Sequence, residues 1–448
     1  MIIFHIDANT AYLSWSARAL LERGATLDLR TVPSAVGGSQ ASRHGIVLAK
    51  SIPAKKHGVK TGESLFEARQ KCPDLLVISP DYDLYMGCSD AMYSILAEYS
   101  PVIQRYSIDE CFLDYTASAG CFGDALAAAA DIQRRMRCEL GFTVNIGISS
   151  NKLLAKMASE MEKPDRIHTL FPEEIPEKMW PLPVSELFMV GRATAKKLAA
   201  INVRTIGELA AMDRRQLVAM LKSHGELIGQ YARGIDSTPV IPNDRILQKG
   251  IGNSMTIFYD VTDRSELHAY LLSLCERASA RLRVQRVRAS LISVSFRTDV
   301  FASRQHQRQL SLYTDRTSEI YRIARMLVDE CWMGEPVRQL GVSLGAFSRT
   351  DQEQLSVFDR TDQERLPVFG WTHQERLSVF GRTDQERLSV FGWGEELESR
   401  SVDACVDDIR ARYGTDAIMR GVFANTTIKP MEGGVNEGQF LMMGGYGL

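Results

Sequence analysis

The sequence predicts an α+β fold that is divided among several domains. The chain has 448 residues, which is too many for one ordinary hydrophobic core. In its N-terminal third, short β-rich apolar segments alternate with amphipathic helical patterns. Residues 249–347 show the order β-α-β-β-α-β, which predicts a four-stranded sheet with two helices. We therefore expect a first sheet layer with helices on one face, and a second mixed unit after it.

The first domain begins with MIIFHID, which predicts a short buried strand that carries Asp7 at its C-terminal end. A helical pattern follows at residues 13–21, and residues 37–75 are small, basic and rich in turns. Next we expect a helix, a strand–turn–strand pair with Asp109 and Glu110 in the segment SIDE, a second helix and a last strand. These elements are expected at residues 82–100, 103–115, 124–140 and 142–148.

Residues 172–183 are rich in proline and glutamate and predict a linker. The segment LFMVGRATAKKLAAINVRTIGELAAMD, residues 187–213, then shows a helix, a glycine turn and a helix. This form is typical of a helix–hairpin–helix, whose backbone amides meet a nucleic-acid phosphate, although two short helices joined by glycine are also common in ordinary packing. Basic residues around the turn favour nucleic acid, and the candidate contacts are Arg192, Lys196 and Lys197.

In the second unit we expect strands at residues 250–256, 289–297, 307–313 and 338–346, and helices at residues 265–283 and 317–332. Residues 277–308 hold eight arginines against the single acid Asp299. A solvated helix face is the ordinary explanation, but so little counter-charge favours a polyanionic partner such as a duplex backbone. The candidate DNA contacts are Arg283, Arg286, Arg288 and Arg297.

An eleven-residue unit then occurs four times between Arg349 and Gly392, as RTDQEQLSVFD, RTDQERLPVFG, WTHQERLSVFG and RTDQERLSVFG. An eleven-residue period can support a helical seam. The Asp, Gly and Pro residues that punctuate the copies favour a flexible linker instead, over residues 348–396. Residues 397–448 are expected to hold one helix, around residues 402–413, and a glycine-rich tail that frays.

Composition excludes several classes of protein. Hydrophobic residues make up 45% of the chain and charged residues 24%, a balance typical of soluble globular proteins. No apolar stretch is long enough to cross a bilayer, and the N-terminus lacks the basic region of a secretory signal. The eight cysteines include no CxxC pair, which argues against zinc and disulfide frameworks. We expect a cytoplasmic protein that does not bind a membrane.

Asp7, Asp109 and Glu110 are the acids that the sequence marks as a site. Carboxylates that lie together in apolar strands repel each other and lose hydration, and a divalent cation offsets this cost. Oxygen ligands without His or Cys select Mg²⁺ or Mn²⁺ over zinc. Two such ions about 3.5–4 Å apart can activate an attacking hydroxyl and stabilise a leaving pyrophosphate. Most Asp–Glu pairs are exposed turn acids, but the apolar flanks of SIDE favour a metal site.

Over residues 1–347 the sequence resembles the Y-family, or lesion-bypass, DNA polymerases, of the bacterial ImpB/MucB/SamB type. The resemblance is carried by FHIDANTAYLSW, AKKHGVKTGE, YSIDECFLDY, GISSNKLLAKMASEMEKP and the helix–hairpin–helix segment, in family order. It implies a right-hand polymerase. The palm would span residues 1–12 and 76–170, the fingers 13–75, the helix–hairpin–helix thumb 171–241, and the DNA-binding little finger 242–347.

The same resemblance implies a template-directed DNA polymerase for lesion bypass, with low fidelity and no proofreading. The primer 3′-hydroxyl would attack the α-phosphate of a dNTP. Asp7, Asp109 and Glu110 become the catalytic ligands of two Mg²⁺ ions, with Mn²⁺ as the alternative, and Ala8 contributes its backbone carbonyl. The implied partners are primer–template DNA and dNTPs, and we expect a monomer.

The resemblance also identifies residues that would contact the nucleotide. Tyr12 matches the steric gate, whose ring excludes the 2′-hydroxyl of a ribonucleotide, although its helical spacing from Trp15 also suits a core aromatic. Lys163 matches the lysine that reaches the incoming triphosphate, a position that a solvated lysine at a helix end would also explain.

Three positions depart from the family pattern. Where the family usually has a Tyr-x-x-Arg pair against the triphosphate, this chain has Ile52 and Lys55. Lysine keeps the charge but not the bidentate fork, and isoleucine cannot donate a hydrogen bond. We expect Lys55 to contact the nucleotide, with altered affinity or insertion rate. Ala11, where the family often has an aromatic residue, is expected to loosen the pocket over the base pair.

Two other functions stay open at this point. A catalytically weak or inactive accessory protein that binds DNA or the clamp would explain Ile52 and Lys55, but not the costly acids. A palm-type nucleotide cyclase would explain the acids, but it has no use for a helix–hairpin–helix or an arginine-rich unit.

The first repeat contains QLSVF, which resembles the Q-L-S/D-L-F peptide by which bacterial polymerases dock on the sliding clamp. Arg365, Arg376 and Arg387 replace its glutamine in the later copies, so these copies are expected to bind poorly and to reflect repeat slippage. The similar QLSLY at residues 309–313 falls in a predicted strand. The candidate clamp contacts are Gln354, Leu355, Val357 and Phe358.

Overall fold

The computed structural model describes residues 1–38, 43, 45–246, 248–349, 393–424 and 426–431. These residues fall into two compact units, one within Met1–Leu247 and one within Gln248–Val435. Residues 350–392, which include the candidate clamp contacts Gln354–Phe358, lie outside the described ranges, as do residues 432–448 at the expected tail. Within those ranges, no helix is both long and apolar enough to cross a membrane.

The elements of the first unit are numbered in chain order. The strands are β1 (Ile3–Ala8), β2 (Ser34–Gly37), β3 (Val47–Lys50), β4 (Leu76–Ile78), β5 (Ile103–Arg105), β6 (Glu110–Asp114), β7 (Val144–Ser149) and β8 (Ile167–Thr169). The helices are α1 (Ala11–Glu22), α2 (Ile52–Lys56), α3 (Leu65–Lys71), α4 (Tyr82–Ala97), α5 (Ala119–Phe122), α6 (Ala125–Leu140), α7 (Lys152–Glu160), α8 (Ile175–Lys178), α9 (Arg192–Ala199), α10 (Ile206–Ala211), α11 (Arg214–Leu221) and α12 (Ser223–Ala232).

A five-stranded sheet with the order β5-β6-β1-β7-β8 forms the centre of this unit. β1 pairs antiparallel with both β6 and β7, so its backbone donors and acceptors find partners on both edges. Because side chains alternate along a strand, Phe4 and Ile6 face one side, where they pack in the core that includes buried residues of α4 and α6. His5 and Asp7 face the other side.

The helix α7 packs on that other side, where Ser159 contacts the ring of His5. Its close approach requires Gly147 of β7, because a Cβ there would collide with the carbonyl oxygen of Ala155. The expectation of helices on one face is therefore correct for α4 and α6 and wrong for α7. Hydrophobic periodicity identifies the buried side of a helix, but it does not say which face of a sheet receives it.

A three-stranded sheet with the order β3-β2-β4 forms a second layer of the first unit. β2 is antiparallel to β3 and parallel to β4, and a small core that includes Val47, Ala54 and Leu65 joins the sheet to α2 and α3. Because β4 belongs to this sheet, the small sheet extends to Ile78. This residue is three positions beyond the boundary expected for the fingers.

Within the first unit, the chain after β8 is helical, and the prediction of a linker at residues 172–183 is wrong. A 3₁₀ turn at Pro172–Glu174 leads directly into α8, and Ile175 and Met179 are buried in a core shared with α9–α12. Proline is tolerated in the first turn of a helix, because the N–H that it lacks has no intrahelical partner there. The proline and glutamate in this segment mark helix starts.

The second unit contains β9 (Gly250–Val261), α13 (Arg264–Val284), β10 (Arg288–Thr298), β11 (Ser303–Thr314), α14 (Thr317–Cys331), β12 (Val337–Ser348) and α15 (Trp393–Tyr413). The predicted order β-α-β-β-α-β is confirmed. The four strands form an antiparallel sheet in the order β11-β10-β12-β9, and α13 and α14 cover one of its faces through a large apolar core.

The C-terminal segment from α15 to Met431 folds onto this unit, and α15 begins at Trp393, earlier than the predicted residue 402. Phe423 and Ile428 join the apolar core. Glu276 of α13 is only 3% exposed and accepts hydrogen bonds from Arg410 at 3.0 Å and Arg420 at 2.7 Å. Charged as well as apolar side chains therefore attach the segment.

Candidate active site

A cavity of about 850 Å³ opens in the first unit at the C-terminal end of β1. It is lined by the ends of β1 and β6, the start of α1, and residues of β3 and α2. The residues that the sequence assigned to metal and nucleotide binding all lie around it. They are Asp7, Ala8, Ala11, Tyr12, Ile52, Lys55, Asp109, Glu110 and Lys163.

Strand register brings two of the acids together. Asp7 of β1 is paired directly with Glu110 of β6, and the N–H of Ala8 donates to the carbonyl oxygen of Asp109 at 2.9 Å. Paired residues of an antiparallel ladder project to the same side of the sheet, here the side on which α7 packs. One carboxylate oxygen each from Asp7, Glu110 and Glu160 lie within 4.8 Å of one another.

Asp7 is 6% exposed, and its carboxylate accepts a hydrogen bond from the ammonium of Lys163. Burial raises the pKa of Asp7 to about 7, against the opposing charge of Lys163, and the charge of Glu110 raises this pKa further. Lys163 also contacts Glu160 at 2.9 Å. The acid is therefore held in a setting that disfavours an isolated negative charge and favours a nearby cation.

Glu110 is held by two donors on one oxygen. Nε2 of His5 lies 3.1 Å from Oε2 of Glu110, and Nζ of Lys156 donates to the same oxygen at 2.5 Å. Burial alone would raise the pKa of Glu110, but the hydrogen bond from His5 and the charge of Lys156 outweigh it and hold this pKa below its ordinary value. Burial lowers the pKa of His5 to about 4, so its ring is neutral and donates through one nitrogen.

Asp109 lines the same cavity but lies outside the group of three oxygens. Its carboxylate accepts a hydrogen bond from the hydroxyl of Ser107 at 2.5 Å. Burial, and then the charge of Glu110, raise the pKa of Asp109. The cavity therefore presents four carboxylates, from Asp7, Asp109, Glu110 and Glu160, a donor set of hard oxygens that fits Mg²⁺ or Mn²⁺.

Sequence reasoning missed Glu160, Lys156 and His5. Glu160 lies three residues before Lys163 in the segment GISSNKLLAKMASEMEKP, and helical spacing places Lys156 and Glu160 one turn apart on the same face of α7. This pattern was visible in the sequence. The position of His5 on the face of β1 that carries Asp7 was visible too, from the two-residue period of a strand.

Tyr12 stands at the start of α1 and lines the cavity. Its ring stacks on that of Tyr85 at 4.5 Å between centroids, with 3° between the planes, and meets the edge of Tyr82 at 6.1 Å. The half-buried ring is thus fixed by aromatic neighbours and forms part of the pocket wall, and the steric-gate role stays a prediction.

The candidate nucleic-acid contacts of the helical segment are exposed. Arg192 begins α9, directly after Gly191, and Lys196 and Lys197 lie in its last turn. Within the described part of the chain, no ion pair joins any of the three to an acid. Their positive charges are therefore available to an external anion.

Among the basic residues of the second unit, Arg286 and Arg297 are exposed and Arg288 is half-buried. Arg283, which we expected to contact DNA, instead forms ion pairs with Asp407 at 2.5 Å and Asp403 at 3.5 Å, both from α15. Sequence reasoning could not anticipate this, because the partners lie more than a hundred residues further along the chain.

The sheet face that α13 and α14 do not cover carries mostly small and polar side chains. Strand register places Arg297 beside Gln339 and Ser303, and Ser295 beside Gly341 and Gln305. The same face continues across the sheet with Ser254, Gly252, Ser343, Ser293 and Gln307. None of these residues is acidic, so a polyanion could lie against this face without like-charge repulsion.

A carboxylate cluster on paired strands, a nucleotide-sized cavity with three lysines, and exposed basic surfaces together define a nucleotidyl transferase that acts on nucleic acid. Comparison with known proteins makes this class specific. The sequence model of the impB/mucB/samB family matches residues 6–160. The model of the family's C-terminal domain matches residues 248–357, and the model of the IMS family HHH motif matches residues 172–203.

Relatives with names support the same family. The chain is 42% identical over 424 residues to DNA polymerase IV of Clostridium acetobutylicum, covering 94% of this chain and 98% of the relative. It is 38% identical over 343 residues to DNA polymerase IV 1 of Bacillus subtilis, covering 76% and 81%. In fold it resembles a Y-family DNA polymerase chimera of Dbh and Dpo4, with a TM-score of 0.68 at 20% identity over 77% of this chain and 99% of that one.

The chain therefore belongs to the impB/mucB/samB family and is a Y-family, lesion-bypass DNA polymerase. The predicted family, fold class and enzymatic activity are confirmed, and these relatives give no support to an inactive accessory protein. The HHH match begins at residue 172, so the motif includes residues 172–183, for which composition predicts a linker.

Proposed function

We propose that the enzyme joins dNTPs to a primer 3′-hydroxyl by template-directed transfer with two Mg²⁺ ions, at low fidelity and without proofreading. The observation that carries this proposal is the register that sets Asp7 opposite Glu110 at a cavity of about 850 Å³. When bound, the ions would lower the pKa of the attacking hydroxyl and stabilise the leaving pyrophosphate. Asp7, Asp109 and Glu110 would hold them, with the Ala8 carbonyl; Mn²⁺ is the alternative ion.

The lysines of the cavity would bind the triphosphate. Lys55 of α2 and Lys163 line the cavity, as does Lys50 of β3. The ammonium of Lys163 pairs with Asp7 and Glu160, so it would reach a phosphate oxygen by leaving these acids. Ile52 is 45% exposed beside them and donates no hydrogen bond. Compared with a Tyr-x-x-Arg pair, this arrangement keeps one positive charge and loses two directed donors.

We propose Tyr12 as the steric gate, because its stacked ring is fixed in the cavity wall. Changing Tyr12→Ala is expected to raise the incorporation of rNTPs relative to dNTPs by about tenfold or more, since only a steric barrier separates the two sugars. The measurement is the ratio of kcat/KM for dCTP and CTP opposite template guanine. Tyr12→Phe, which keeps the ring, should leave this ratio close to that of the wild type. An unchanged ratio in Tyr12→Ala would exclude the role.

The DNA would contact the exposed residues of α9, namely Arg192, Lys196 and Lys197, and the open sheet face around Arg297, together with Arg286 just before β10 and Arg288 at its start. Arg192 stands at the start of α9, where backbone N–H groups lack partners, whereas Lys196 and Lys197 lie in its last turn. The residues beside Arg297 on the sheet face include no acid. Arg283 is not included, because its ion pairs with Asp403 and Asp407 lie within the unit.

We assign the palm to residues 1–12 and 79–170, and extend the fingers to residues 13–78 because β4 belongs to the smaller sheet. The thumb would span residues 171–241 and the little finger residues 242–347. We also propose a monomer that acts in the cytoplasm, where the eight cysteines, all free thiols in the structure, would stay reduced.

The proposed reaction is tested by primer extension with all four dNTPs on undamaged and abasic templates. Extension should require Mg²⁺, stop after chelation and resume when the ion is restored. A mismatched 3′ end should not be excised. DNA binding without extension under any metal would refute the proposal and favour a non-catalytic role.

We further propose that Gln354, Leu355, Val357 and Phe358 bind the bacterial sliding clamp. The support is the sequence alone, since these residues lie outside the described ranges. Replacing Gln354, Leu355 and Phe358 by alanine should abolish clamp stimulation of extension and spare basal extension. The matched control is the same change at Arg365, Leu366 and Phe369 of the second copy, which should keep the stimulation. A clamp response that survives the first triple change would contradict the proposal.

A further inference from the structure

The two donors that hold Glu110 contact the same carboxylate oxygen. Nε2 of His5 lies 3.1 Å from Oε2, and Nζ of Lys156 lies 2.5 Å from it. Nδ1 of His5 lies 2.7 Å from the hydroxyl of Ser159. With Oε2 fixed from two directions, Oε1 of Glu110 is the oxygen left to a cation, and the plane of the carboxylate is set by α7.

Lys156 is itself held by aromatic rings. It is 9% exposed, and its ammonium lies 5.3 Å from the ring centre of Tyr106 and 5.7 Å from that of Phe188. Both distances are within the range of a cation–π interaction. Apart from Glu110, the nearest carboxylate is that of Glu160, at 3.9 Å. A nearly buried ammonium with these neighbours has one strong partner, the carboxylate, and two ring faces.

Phe188 belongs to the helix–hairpin–helix segment, just before α9. Its backbone N–H lies 3.4 Å from the sulfur of Met157 in α7, and its ring stacks on Tyr231 of α12 at 6.1 Å between centroids. A chain of direct contacts therefore runs from this segment through Phe188 and Lys156 to Glu110.

We propose that Lys156 is a positioning residue, which fixes one oxygen of Glu110 and connects this carboxylate to the helix–hairpin–helix segment through Phe188. The inference rests on the catalytic role proposed above for Glu110. Displacement of Phe188 would loosen the ammonium, and a loose ammonium would let the carboxylate turn. The thumb thus contributes to the geometry of the metal ligands as well as to DNA binding.

The test is Lys156→Met in the full-length enzyme. We expect kcat to fall about 10- to 100-fold at saturating Mg²⁺ and dNTP, because the carboxylate loses its fixed orientation. Mn²⁺ binding without DNA or dNTP, followed by electron paramagnetic resonance, should become about threefold tighter, since one positive charge leaves the acid cluster. Opposite changes in turnover and metal binding are not expected from a loss of stability.

Phe188→Leu is the second variant in this test. It should lower kcat about threefold in the wild type and have no further effect on Lys156→Met, because the two residues act through one contact. The matched control is Lys178→Met, which removes a lysine from another helical Lys–Glu pair, that with Glu174, and should leave kcat unchanged.

Glu110→Gln separates this inference from the proposed function. If Glu110→Gln retains extension, the catalytic role of Glu110 fails. If Glu110→Gln is inactive while Lys156→Met keeps kcat within about twofold, binds Mn²⁺ more weakly, or adds its effect to that of Phe188→Leu, the positioning role alone is overturned.

Discussion

Changing Asp7→Asn is expected to reduce primer extension by about 10³-fold or more, equivalent to about 4 kcal/mol at the transition state. Asp7 lies in the central strand of its sheet, and its ladder partner is Glu110. Asparagine keeps the size of the side chain and one oxygen, but it removes the negative charge on which a divalent cation depends. The folded state should not weaken, because a neutral amide costs less to bury than a carboxylate.

The measurement is single-turnover extension at saturating dNTP, together with DNA affinity and the melting temperature. Asp114→Asn is the matched control, because Asp114 is an acid at the opposite end of the same ladder, paired with Ile3. It should extend primers within about twofold of the wild type, and both variants should bind DNA normally. Extension by Asp7→Asn above a tenth of the wild-type rate would show that another group provides the charge.

The second large effect concerns stability. Changing Glu276→Ala is expected to destabilise the second unit by about 3–5 kcal/mol, because it leaves the buried guanidinium of Arg410 without its carboxylate. The side chains of Glu276 and Arg410 are 3% and 6% exposed. Arg420, which shares Glu276, also pairs with Asp403, and Asp403 accepts the N–H of Thr317 at the start of α14 at 2.9 Å. Loss of Glu276 should therefore also loosen the cap of that helix.

The opening free energy of α13, measured by amide hydrogen exchange in the intact chain, reports this effect directly. The double variant Glu276→Ala, Arg410→Met should recover part of the loss, since it removes the unpaired charge. Asp416→Ala breaks the exposed pair with Lys429 and should cost less than about 1 kcal/mol. A loss of that small size for Glu276→Ala would mean that the C-terminal segment is not held by its buried charges.

Much of the fold followed from local patterns. The order of elements in the second unit was correct because each strand and helix has its own hydrophobic period, which does not depend on distant residues. The error at residues 172–183 had a local cause as well. Proline and glutamate are typical of both linkers and first helical turns, and burial of Ile175 and Met179 against α9–α12 selects the second.

The functional site also has one part that the sequence indicates and another that only the tertiary structure decides. The sequence by itself identified the acids Asp7, Asp109 and Glu110, the pocket residue Tyr12 and the lysines Lys55 and Lys163 as candidates, because their types occur in family motifs, and all six line one cavity. Tertiary structure decided their partners: Glu160, His5 and Lys156 at the acids, and Asp403 and Asp407 at Arg283. The reason is physical. A charge finds its partner through strand register and helix packing, which join residues far apart in the chain, whereas residue type and periodicity report only what is near.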